Sequence, residues 1–128
     1  MTEPRRFDFS GHGVELGGDG AATLVAQSFG PHAATDGYVI GLANLVKAPP
    51  HGGERHIDSD EVLYVLNGRL EVLLETEPVR RIELQQGDGL IVPRGLWHRV
   101  EVVEPARLLY ISRGRSEARP VQRRARRE

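Results

Sequence analysis

Cysteine is absent from the 128 residues, which excludes disulfides, thiolate zinc sites, iron–sulfur clusters and thiol nucleophiles together. Long apolar runs are absent as well. The longest unbroken one is Val62-Leu63-Tyr64-Val65-Leu66, far short of the roughly 18–20 residues of a membrane helix. Met1-Thr2-Glu3-Pro4-Arg5-Arg6 leads into no apolar stretch, which speaks against a secretory signal, so a soluble cytoplasmic protein with no membrane partner is expected. No segment has the 3.6-residue periodicity of an amphipathic helix. Lysine is nearly missing too: Lys47 stands alone among 17 basic residues.

What is present begins with an uneven charge. The net charge is −1, yet residues 113–128 hold seven arginines against two glutamates, leaving ten basic and sixteen acidic groups on the rest. A basic tail on an acidic body could touch nucleic acid. It has no aromatic residue to stack on bases and little apolar surface to bury, so a solvated, disordered tail is the expectation, and a nucleic-acid partner is not.

Glycine and proline divide the remainder into short stretches with strand patterning. Ala22 to Phe29, Tyr38 to Lys47, Glu61 to Leu66 and Arg69 to Thr76 read as strands, followed by Val79 to Leu84, Leu90 to Val92, His98 to Val103 and Arg107 to Ile111. Asn67-Gly68 between two of them predicts a hairpin with a type I′ turn, which requires positive φ at both positions. About eight strands at spacings of roughly 8–12 residues point to an all-β sandwich or a closed antiparallel barrel. Residues 1–19 are expected to form an arm with at most one short strand, 20–112 the barrel and 113–128 the tail.

Two glycine- and proline-bounded segments concentrate the reactive side chains. The first runs from His51 through Gly52-Gly53-Glu54-Arg55-His56 to Glu61, and the second from Gly87 through Pro93 and Gly95 to Trp97-His98. In extended chain Glu54 and His56 point to one side, Glu61 shares a face with Leu63 and Val65, and His98 shares one with Val100 and Val102. A polar group at the mouth of each strand, with apolar residues continuing inward, is an arrangement that can hold an ion above a packed core. Asp58 and Asp60 are read as shaping their turn, His12 and His32 as surface-loop residues, and Tyr38 and Tyr110 as packing residues of strands. Trp97 either walls the pocket or faces outward.

These segments resemble the two motifs of the cupins, small antiparallel jelly-roll barrels. Glu61 and Gly68 keep the spacing of the first motif's end, with His56 at its second histidine, while Gly87, Pro93, Gly95 and His98 match the second motif at every fixed spacing. Glu54 replaces the family's first histidine, and Val102 stands where an asparagine often follows the second motif. The resemblance implies a divalent metal held by Glu54, His56, Glu61 and His98, with Fe²⁺ or Mn²⁺ favoured by the mixed nitrogen and oxygen donors and Zn²⁺ or Ni²⁺ as alternatives. His51 could instead swing in as a ligand, freeing Glu54. Glu54 or His51 is then the candidate catalytic base. The implied function is a small-molecule dioxygenase, isomerase or lyase. The alternatives are a non-catalytic module sensing a metal or small ligand, and a metal-free epimerase type, against which the acidic ligand set speaks. The resemblance also implies a homodimer paired through an edge strand.

Overall fold

In the computed structural model the residues described are 3–26, 36–49 and 51–120. They form nine strands and no helix: β1 (His12–Leu16), β2 (Ala22–Ala26), β3 (Tyr38–Leu45), β4 (Glu54–His56), β5 (Glu61–Leu74), β6 (Arg80–Gln85), β7 (Gly89–Val92), β8 (His98–Arg113) and β9 (Ser116–Ala118). All pair antiparallel. One path through the sheet runs β2-β1-β3-β8-β4-β9, and β5 joins it along β8 while carrying β6 and β7. The sheet curls around one apolar core, the all-β barrel that the alternating pattern predicts.

The central pair is β5 with β8, and its logic is two-residue alternation. Leu63 and Val65 are buried while Val62, Tyr64 and Leu66 are exposed. Further along, Leu70, Val72 and Leu74 are buried. The step from Val65 to Leu70 is odd, so an unbroken strand would turn the second set to solvent. Irregularities between Val65 and Leu70 shift the pairing from Val65 opposite Leu108 to Leu70 opposite Val102. Five steps along β5 are thus set against six along β8, and this irregularity returns the apolar side chains of β5 inward.

The irregularity replaces the predicted hairpin. Asn67-Gly68 is no turn: β5 runs through it, paired to β8 on both sides. Gly68 has φ +85°, but among the described residues no non-glycine has positive φ, so Asn67 lacks what a type I′ turn demands. A Cβ on Gly68 would run into the Pro105 carbonyl oxygen and Ala106. The expected strands at His98 to Val103 and Arg107 to Ile111 are likewise one strand, β8. Residues 27–29 of the predicted strand Ala22 to Phe29, and His32, lie outside the described residues.

At the chain ends the arm does contain one short strand, β1. The tail differs from its expectation. Arg113 ends β8, and Ser116–Ala118 form β9 on the free side of β4, with Ser116 buried. Its arginines find partners on the acidic body: Arg115 donates to both oxygens of Asp58, and Arg119 to Glu75. Backbone pairing and these bonds replace the apolar burial the segment lacks. Residues 121–128 lie outside the described residues.

Candidate metal centre

β4 enters the barrel wall after Gly52-Gly53 and presents Glu54 and His56 on one face, as extended geometry dictates. Glu61 opens β5 and His98 opens β8, each followed by core residues on its own side. Curling of the sheet brings the three strand starts together. One ligating atom from each of Glu54, His56, Glu61 and His98 lies within 4.8 Å of all the others. Three of the four are buried, His98 at 1% and Glu61 at 3% exposure, whereas the Glu54 side chain keeps 24% and forms the open edge.

Glu61 is the hinge of the cluster. Its Oε1 lies 3.0 Å from His98 Nε2 and its Oε2 2.9 Å from His56 Nε2, while Glu54 Oε1 stands 3.8 and 3.9 Å from the same two nitrogens. Burial alone would raise the Glu61 carboxyl, but the two imidazoles outweigh it and bring it down to about 2. Burial likewise works against charge on both imidazoles, and the Glu61 carboxylate prevails, so His56 and His98 are raised. Glu54 is raised, first by burial and then by the charge of Glu61.

The nitrogens also fit a cation. His98 Nδ1 lies 2.9 Å from the Leu96 carbonyl oxygen, which can only accept, so that nitrogen carries a proton; Nε2, which donates to Glu61 Oε1 at 3.0 Å in the metal-free site, is the atom whose lone pair would face an ion once deprotonated. A backbone partner of this kind commonly orients a metal-ligating histidine. His56 Nε2 is near Glu61 but out of hydrogen-bond alignment, and is the one buried side-chain polar atom without a hydrogen-bond partner among the described residues. An ion that takes nitrogen and oxygen donors at about 2.1 Å sets neighbouring donors roughly 3 Å apart, which these separations approach. The residues fit a divalent ion.

A family model described as a cupin domain matches residues 44–112, more than half of the chain. The chain belongs to the cupin family. Among curated proteins none matches. Solved cupins share the fold: a cupin-2 domain protein from Shewanella frigidimarina is 24% identical over 70% of this chain and 84% of its own, with a TM-score of 0.54. A protein from Neisseria meningitidis is 21% identical over 70% and 88%, with a TM-score of 0.53. The Fe(II) form of HppE, solved with an alternative substrate, is 17% identical over 59% of this chain and 42% of its own, with a TM-score of 0.50.

Around the cluster of this cupin, the other candidates fall into place. His51 is not among the four. Its Nδ1 accepts from the Gly53 N–H at 3.2 Å, and its Nε2 is 4.0 Å from Glu54 Oε2. Burial, aided by nearby His98, lowers its pKa and keeps the ring neutral. Asp58 and Asp60 tie segments together, Asp58 to Arg115 and Asp60 to the Arg94 N–H. Trp97 takes the outward option, with Arg55 and Arg119 over its ring. His12 is exposed, but at the start of β1 rather than in a loop, and Tyr38 is largely exposed beneath Arg113.

Tyr110 packs against the core as expected. It pairs with Leu63 on one side and Gly41 on the other, and its ring occupies the space a Cβ on Gly41 would need. Burial, then the charges of Glu61 and Glu54, push its phenol up to about 12, so it remains a protonated hydrogen-bond donor on the cluster's side of the barrel. The hint available in the sequence was a glycine inside the apolar run of β3, which marks close approach of another group.

Proposed function

We propose that this cupin holds a divalent metal through Glu54, His56, Glu61 and His98 and acts on a small oxygen-bearing molecule, as a dioxygenase, isomerase or lyase. The buried Nε2 of His56, 2.9 Å from Glu61 Oε2 yet without an aligned hydrogen bond, within a cluster of three further donors carries this reading. Two imidazoles and two carboxylates favour Fe²⁺ or Mn²⁺ over softer choices, and the Fe(II) form of HppE shows that a related barrel accommodates iron. Bound there, the ion supplies Lewis acidity to oxygen atoms of the small molecule, and iron adds the capacity to react with dioxygen.

The chain's own groups do the rest. Glu61, fixed by both histidines, stays ionised and offsets the ion's charge. Glu54, on the open edge, is the ligand that a molecule arriving from that side meets first. The Tyr110 hydroxyl offers a neutral donor to an anionic oxygen.

Elemental analysis of protein purified without added chelator tests the reading. About one Fe or Mn per chain is expected, with His56→Ala and His98→Ala each losing most of it while remaining folded. Retention of the metal by both variants would refute the assignment. In Co²⁺-loaded protein, a small carboxylate is expected to shift the visible absorption, because an enzyme keeps a position open. A silent spectrum would favour the sensing module.

A further inference from the structure

The metal-bearing strand is held mainly from its C-terminal side. β4 has three residues, of which only Glu54 is paired with β8, opposite His98. On its other edge all three pair with β9: Glu54 with Ala118, Arg55 with Glu117 and His56 with Ser116. The pairing continues at both ends. The Ile57 N–H donates to the Arg115 carbonyl at 2.9 Å, the Gly52 N–H to the Arg119 carbonyl at 2.8 Å, and the Arg119 N–H to the Gly53 carbonyl at 2.8 Å.

The Arg119 side chain closes this strap. Its guanidinium lies 3.9 Å from the Trp97 ring centroid, and Nη1 donates to both Glu75 oxygens at 2.8 and 2.7 Å. Glu75 in turn donates its N–H to the Trp97 carbonyl at 2.9 Å. Trp97 immediately precedes His98, and Gly52-Gly53 immediately precede Glu54. One arginine therefore grips, by backbone and by side chain, the segments that deliver two ligands from different strands. Two consecutive glycines lose more conformational freedom on ordering than any other pair, so the entry to β4 depends on such external bonds.

We propose that Arg119 is a positioning residue of the metal centre, and that its grip on the segments preceding Glu54 and His98 sets how tightly the centre holds its ion. The inference rests on the metal reading above. A guanidinium suits the task because it can stack on an indole and bond a carboxylate at once, which an ammonium cannot do in one plane.

The test is titration of the full-length chain, metal-free, with Mn²⁺. Arg119→Ala is expected to weaken binding by about tenfold, the low end for groups that orient metal ligands. Arg119→Lys is expected to restore only part of it. Arg115→Ala removes the guanidinium bonds to Asp58 just before β9 while the Arg115 N–H keeps its own bond to Asp58, touches neither Trp97 nor the Gly52-Gly53 pair, and is expected to bind within about twofold of wild type. Glu75→Gln leaves the backbone of β9 intact and is expected to bind several-fold more weakly, which keeps the inference testable should Arg119→Ala not fold. Wild-type affinity in Arg119→Ala or, if that variant does not fold, in Glu75→Gln overturns the inference alone. So do equal losses in the Arg115 and Arg119 variants that track their melting temperatures. A wild-type chain that takes no Mn²⁺ overturns the metal reading and this inference with it.

Discussion

Glu54 and His51 differ in what their polar atoms have left to offer. The His51 Nδ1 lone pair is taken by the Gly53 N–H, so its proton sits on Nε2, which faces Glu54 Oε2, whereas Oε1 faces the imidazoles of His56 and His98. A nitrogen that carries a proton cannot ligate. His51→Ala is therefore expected to leave Mn²⁺ affinity within about twofold, while Glu54→Gln, which exchanges an anionic donor for a neutral one, weakens it at least about tenfold. Titration of both by the Mn²⁺ electron paramagnetic resonance signal decides it, and the reverse order would place His51 in the shell. His56, Glu61 and His98 were legible as candidates in the sequence because they keep the spacing of the two motifs it resembles, and the barrel brings them together. Tyr110 was not: its place beside the cluster depends on Gly41, 69 positions earlier, which no local pattern connects to it.

The element most informative about sequence reading is β5. Its alternation was readable at both ends, and Asn67-Gly68 between them carried a real turn signal. That signal lost to the long ladder with β8, which satisfies backbone groups on both sides of the irregularity. The two residues are accordingly unequal. Gly68→Ala forces a side chain into positive φ and against Pro105, and is expected to cost about 2 kcal/mol or more in urea unfolding. Asn67 is exposed with ordinary φ, so Asn67→Ala is expected to stay within about 0.5 kcal/mol. Comparable losses at both positions would restore the turn. β9 was illegible for the opposite reason: arginine-rich composition signals solvation, and only partners elsewhere on the barrel, Asp58 and Glu75 for the flanking arginines and Arg55 for its own Glu117, make it a strand.

At the scale of the whole molecule the cluster makes stability depend on pH in two opposed ways. The lowered carboxyl of Glu61 stabilises the metal-free fold above about pH 4.5, and that contribution is lost as pH falls towards 2. The raised imidazoles of His56 and His98 stabilise it below about pH 6.5, and theirs is lost as pH rises through their folded values. The metal-free protein is thus expected to melt highest between about pH 4.5 and 6.5 and to weaken towards pH 8. An ion requires unprotonated imidazoles, so the gap between scans with excess Mn²⁺ and scans in chelator should widen from pH 6 to 8; a gap that narrows contradicts the site. The span of the cluster has a second effect. Glu61 and His98 are 37 positions apart, and an ion joining them ties off that loop of chain. A covalent tie around a loop this size removes on the order of 4 kcal/mol of disorder from the unfolded chain. In a chain without cysteine, the ion would be the one staple available, and it can be withdrawn: a chelator would lengthen the free loop as a reductant does in a disulfide protein, and unfolding of the loaded chain would wait on release of the ion.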